Sequence, residues 1–115
     1  MEKVYYRISY KGIGIYEALK QKIWKECDHP FEMWYGFKNS KAVTWLKIPD
    51  KYSEKCYSYF TELGYKLFKK NTYQKFLKYF KEEDIITEKF IFDEDKEKII
   101  YKDEHQIVLE KGKEE

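Results

Sequence analysis

The chain has a single arginine, Arg7, against twenty-two lysines, and only two prolines and two cysteines in 115 residues. Two cysteines are too few for the disulfide framework of a small secreted scaffold. No stretch approaches the roughly eighteen consecutive apolar residues that cross a bilayer. Charged and tyrosine residues begin at once at the N-terminus, where a signal peptide would need an apolar run. The expectation is a cytoplasmic protein without a membrane partner. The net charge is only +2, well short of the basic excess that accompanies strong non-specific nucleic-acid binding. Lysine, isoleucine, tyrosine and phenylalanine in excess, with so little arginine, point to an AT-rich genome, either bacterial or a bacterial mobile element.

What the chain does have is rings: Phe, Tyr and Trp make up 20% of it. Each buried aromatic withdraws about 150–250 Å² from water, so few side chains suffice for a core. A mean hydropathy of −0.85 suggests disorder, but disordered chains are poor in aromatic and β-branched residues. The expectation is one compact domain over residues 1–110 with a charged, frayed tail at 111–115.

The charge is segregated. Residues 63–81 carry six lysines, no acid and six aromatics, whereas residues 82–115 carry thirteen acids against six lysines. A basic helical face beside an acidic strand region suits a charged partner or head-to-tail self-association.

Period-two alternation of Val4, Tyr6, Ile8 and Tyr10 predicts a strand over 3–10, broken by Lys11-Gly12-Ile13-Gly14. Ile15, Leu19, Ile23 and Cys27 predict an amphipathic helix over 15–27. A short helix follows over 31–37, then a strand over Ala42–Ile48 and a capped helical turn at Ser53. A helix lies within Ser58–Lys70, and Asn71-Thr72 reads as a break with Thr72 as N-cap of the next helix. In that helix Tyr73, Phe76, Leu77 and Phe80 form an inward stripe. Ile85–Phe92, Ile99–Tyr101 and His105–Leu109 read as a three-stranded antiparallel meander. The predicted fold is α+β: a small antiparallel sheet, made of the N-terminal strand and this meander, packed against three to four helices.

Among chemistry-bearing residues, Cys27, His29, Cys56 and His105 do not match the spacing of a common zinc unit, so no metal is expected. Gly12-x-Gly14 sits between a strand and a helix, where anion-binding loops occur, but position 17 is Glu where the dinucleotide fingerprint has a third glycine. Lys69, Lys70, Lys78 and Lys81 are the candidate binding residues, because the aromatic stripe claims the opposite face.

A wider constellation joins Arg7 on the first strand, Ser58–Gly64 at mid-chain and Asp103–Leu109 at the last strand. This order resembles the ADP-ribosyltransferase-like fold, in which a first-strand Arg or His, a central Ser or Tyr element and a late-strand Glu line a nicotinamide-nucleotide cleft. The resemblance implies that Arg7 holds phosphate, Ser58 or Tyr59 meets the nicotinamide, and Glu104 stabilises oxocarbenium charge. The chain departs from the family in order, since Glu104 precedes Gln106 where a Gln or Glu commonly precedes the catalytic Glu. The leading expectation is a small binding or accessory protein, without cofactor or catalysis, acting through a protein partner. The alternatives are a compact ADP-ribosyltransferase-like domain and nucleic-acid binding through the basic 63–81 helix.

Overall fold

A computed structural model describes residues 1–46 and 56–110. The architecture is α+β, a curled antiparallel sheet packed against helices. In chain order the elements are β1 (Glu2–Tyr10), β2 (Ile13–Gly14), α1 (Ile15–Glu26), α2 (Pro30–Lys38), β3 (Cys56–Thr61), α3 (Glu62–Leu67), α4 (Tyr73–Leu77), β4 (Ile85–Asp93), β5 (Ile99–Lys102) and β6 (Gln106–Glu110).

β1 organises the sheet. Its alternation sends Tyr6, Ile8 and Tyr10 toward the helices, where Ile8 joins a core with Leu19, Ile23, Phe68, Phe76 and Phe80. Tyr5 points the other way, into a smaller cluster with Ile107, Leu109, Tyr59 and Phe92. The main core is built by rings in contact, among them Phe37 edge-on to Phe76 and Tyr10 against Phe80.

The strand pairing differs from the expected meander. The order is β2-β1-β3-β6-β5, with β4 on β1. β1 and β4 are both nine-residue runs of β-forming residues, and they pair along their whole length from Glu2↔Asp93 to Tyr10↔Ile85. β3 then inserts between β1 and β6. Lys11 and Gly12 both have positive φ, 51° and 82°. They form the two-residue turn of a hairpin that pairs Tyr10 with Ile13, so the glycine-rich break is a reversal and a short strand.

A strand expectation and a helix-cap expectation are also revised. Ala42–Leu46 forms turns, with Val43 N–H donating to Ser40 O and Leu46 N–H to Val43 O. The buried residues there are Val43 and Leu46, three apart, a helical rather than a strand spacing. The rest of that expected strand, the helical turn at Ser53 and the tail at 111–115 lie outside the described residues. Thr72 caps nothing. The chain from Glu62 to Leu77 is continuously helical through a π-helical turn at Phe68–Thr72. The extra residue of that turn re-phases the stripe: Tyr73, Phe76 and Phe80 are buried, while Leu77 sits only partly buried at the margin of the core.

Thr72 has another task. Its hydroxyl donates to Ala42 O (2.5 Å) and accepts from the Trp45 indole N–H (2.7 Å). This anchors the 42–46 turns to the π-helical turn.

Gly64 is required by packing. A Cβ there would stand 1.9 Å from the carbonyl oxygen of His105, so α3 touches the β5–β6 turn backbone to backbone. Replacing Gly64 by Ala should destabilise the fold by at least about 3 kcal/mol, since neither backbone can yield cheaply. Phe76→Ala should cost about 3–5 kcal/mol. Urea unfolding of both variants checks this, and a near-neutral Gly64→Ala would show that the two segments are not held in contact.

Candidate functional site

β1 and β3 pair at only two positions, Tyr5↔Thr61 and Tyr6↔Phe60. Beyond these, the edge of β1 is taken by β2, through Ser9↔Gly14 and Tyr10↔Ile13. The two strands therefore part, and a cleft of about 610 Å³ opens between them. That volume lies within the range of about 300–1,000 Å³ usual for small-molecule sites.

Arg7 and Ile8 line the cleft from β1, and Tyr57, Ser58 and Tyr59 from β3. Gly12 to Glu17 contribute the hairpin and the first turn of α1; Lys20 and Trp24 continue that helix, and Trp34 and Tyr35 enter from α2. Gln106, buried at 6% exposure, enters from β6.

Arg7 is held by its ring neighbour. Its guanidinium carbon lies 5.0 Å from the centroid of the Tyr57 ring, a cation–π contact. Its Nε is buried and makes no hydrogen bond among the described residues. Glu88 stands opposite Arg7 in the β1–β4 ladder, yet no ion pair between the two is found. Burial holds the Tyr59 phenol above its ordinary pKa, with Arg7 opposing the shift. Tyr59 thus stays a neutral hydrogen-bond donor at physiological pH.

Arg7, Ser58 and Tyr59 therefore share one cleft, and Glu104 does not join them. Its side chain is 75% exposed and borders a separate, acidic depression with Glu2, Glu62 and Glu94. The reason is the turn between β5 and β6. Asp103 Oδ1 accepts from the N–H groups of His105 (2.8 Å) and Gln106 (3.0 Å), and Thr61 Oγ1 donates to Glu104 O (2.7 Å). These bonds hold Glu104 in the turn and start β6 at Gln106, whose side chain reaches the cleft instead.

Lys69, Lys70, Lys78 and Lys81 are all exposed. Lys69 lies 3.8 Å from the Tyr73 ring centroid. The cysteines and histidines are dispersed: Cys27 caps α1, Cys56 opens β3, and His105 packs edge-on to Trp45. No metal-holding group of His, Cys, Asp or Glu is found among the described residues, nor any helix long and apolar enough to cross a membrane.

Sequence reasoning missed Tyr57, Gln106 and the α1–α2 residues of the cleft. The alternation Tyr57-Ser58-Tyr59-Phe60 carried the first signal, a strand in which Tyr57 and Tyr59 share a face. No family model, curated protein or solved structure matches this chain.

The β5–β6 turn makes a pH prediction. Burial would raise the Asp103 carboxyl, but the bonds from His105 N–H, Tyr101 hydroxyl and Gln106 N–H outweigh it and hold it below its ordinary value. A depressed folded pKa contributes stability above the unfolded pKa of 3.8, and that stability is lost as pH falls through the folded value. Urea unfolding from about pH 7 down to about pH 2 should show a steeper acid loss for the wild type than for Asp103→Asn. Parallel curves would mean that Asp103 gains nothing from the turn.

Proposed function

We propose that this is a small-molecule binding domain whose β1–β3 cleft takes an anionic, ring-bearing ligand of the nucleotide class, a nicotinamide nucleotide being the first to test. The observation that carries this is Arg7: the one guanidinium of the chain lies at the cleft over the Tyr57 ring, half-buried, and no hydrogen bond or ion pair holds it among the described residues. A charge-bearing donor set without an acceptor favours an anion. A phosphate or carboxylate of a ligand supplies the acceptor, and a planar fork matches it through two bonds. Tyr57 and Tyr59 line the cleft beside it, and Lys20 adds positive charge to the same walls. The reading assigns binding and no catalytic step, since Glu104 lies outside the cleft.

Melting temperature in the presence of millimolar nicotinamide mononucleotide or ADP tests it. Both should raise it. Arg7→Gln should weaken binding about tenfold or more, from the loss of charge-assisted bonds. Arg7→Lys should recover only part of this, because an ammonium lacks the fork. No stabilisation by either nucleotide, or equal binding by Arg7→Gln, would dismiss the reading.

A second reading, action through a protein partner, rests on the exposure of Lys69 and Lys70 on the π-helical turn, Lys78 at the C-terminal end of α4 and Lys81 beyond it, none of them in an ion pair among the described residues. The rings between them do not favour nucleic acid: Tyr73, Phe76 and Phe80 are in the core and unavailable to stack on bases. Reversing Lys70 and Lys78 to Glu should move stability by no more than about 0.5 kcal/mol. It should slow association with an acidic partner, less so as salt rises. An association rate unchanged at low salt, measured against a second copy of the chain or a captured partner, would reduce the basic run to a solvated face.

A further inference from the structure

We propose that the outer edge of β4 is an interface at which a second copy of this chain adds its own β4, antiparallel, across a two-fold axis at Ile91. The inference stands apart from the cleft and from the nucleotide reading.

The first observation is an open edge. β4 spans roughly 30 Å at the strand rise. It pairs with β1 along its whole length without a register shift, and no strand lies on its other side among the described residues. It holds no proline. Such an edge presents a row of unpaired N–H and C=O groups to another strand. The opposite edge of the sheet is built differently. β5 has only four residues and an irregular register between Ile99 and Tyr101, and both features discourage pairing.

The second observation is what this edge displays. Ile91 is 61% exposed, although it stands beside Val4 in the ladder. It shares a face of the sheet with Lys89 and Asp93, while Phe90 and Phe92 lie on the other. Phe92 stacks on Tyr5 at 4.2 Å and Phe90 stands edge-on to Tyr59 at 5.2 Å. A row of rings thus runs out to the open edge, where Phe90 and Phe92 stay half-buried.

The third observation is self-complementarity. A two-fold axis that continues an antiparallel sheet passes through one residue of the strand, because directly opposed residues share a face. Centred on Ile91, that residue meets its own copy, Phe90 meets the partner's Phe92, and Lys89 meets the partner's Asp93. The axis repeats the last two pairs. Apolar faces apolar, and each lysine faces a carboxylate. Asp93 already accepts from Asp95 N–H and pairs with the N-terminal ammonium, and a carboxylate has room for a further donor. Glu88 lies past the end of the partner's β4, where Glu94 is turned inward onto Tyr5 and Lys102. Centred on Thr87, Glu88, Lys89 or Phe90, the same strand would oppose charge to apolar or to like charge, which destabilises. Centres nearer either end leave too few pairs.

Analytical ultracentrifugation of the full chain from about 1 μM to about 1 mM tests this, a span that brackets the weak affinity of a small interface. A concentration-dependent dimer is expected. Ile91→Lys sets like charges at the axis and should leave a monomer throughout, with its melting temperature unmoved because Ile91 is exposed. Lys89→Asp and Asp93→Lys, each alone, should weaken the dimer about tenfold or more. Mixed in equal amounts, these two variants should associate about as tightly as the wild type, because each positive charge again faces a negative one. A wild type that stays monomeric to about 1 mM, or a dimer that survives Ile91→Lys, would overturn the proposal. So would a mixture of the two folded charge variants that associates no better than either alone. Should Asp93→Lys fail to fold, Ile91→Lys and Lys89→Asp decide between them, and a dimer indifferent to either sinks the interface.

Discussion

The contact between Gly64 and the carbonyl of His105 is the constraint on which the sheet depends. It joins two segments distant in sequence at backbone contact, the start of α3 and the turn between β5 and β6. Thr61 bonds to both sides of that junction. Its hydroxyl accepts from Gly64 N–H as the N-cap of α3 and donates to Glu104 O, and its own N–H donates to His105 O. One threonine and one glycine thus fix where β3 ends, where α3 begins and where β6 must lie. With β6 fixed, one edge of β3 pairs with it at five positions, from Cys56↔Glu110 to Phe60↔Gln106, and the other edge meets β1 at two.

The cleft follows from a competition for one edge of β1. β2 claims its C-terminal end because Lys11 and Gly12 accept positive φ and bring Ile13 back beside Tyr10. β3 claims its N-terminal end. Arg7 and Ile8 fall between the two claims. A backbone edge without a neighbouring strand must find other partners or solvent, and at a widened gap between strands a ligand can approach it. The side chain at that gap is the one guanidinium of the chain. Twenty-two lysines elsewhere provide charge for solubility, but a lysine at this position would not keep a planar donor array stacked on Tyr57.

Much of the fold was legible because its signals were local. The alternation in β1, the apolar stripe of α1 and the short α2 depend on residues close in sequence, and the structure keeps them. The pairing partners were not local. Nothing in Ile85–Phe92 distinguishes a strand that turns back on β5 from one that crosses to β1. What decides it is the matched nine-residue length of β1 and β4 and the occupation of β6 by β3. By propensity alone Gly64 is only a cost to a helix, whereas the carbonyl that demands it is forty-one residues away in sequence, at His105. Thr72 had the composition of a cap and proved to be a buried hydrogen-bonding post for Trp45 and Ala42. In the cleft, Arg7 was visible by residue type and element, Tyr59 by residue type alone, since it lies on β3 where the sequence suggested the start of a helix. Glu104 misled because a carboxylate before the last strand carries no mark of where its turn will point it, and Asp103, one residue earlier, sets that direction.

The charge segregation also changes meaning once folded. Part of the acidic excess after residue 81 is consumed internally. Glu94 accepts from Tyr5 and from Lys102, and these bonds, Lys102 first, hold its carboxyl below the ordinary value. Asp93 accepts from Asp95 N–H and pairs with the N-terminal ammonium, and Asp103 is spent on its turn. The lysines of residues 69–81 undergo no such neutralisation, because the side of the helix that could offer carboxylates is filled with rings instead. An almost neutral chain therefore presents a basic helical surface, and the acids that balance it in composition balance it only partly in space. The cleft draws its charge from another part of the chain: Arg7, Lys20, Lys38 and Glu17 line it among the described residues. Electrostatics and geometry then select the same kind of ligand, one that brings negative charge to Arg7 and flat apolar surface to the rings around it.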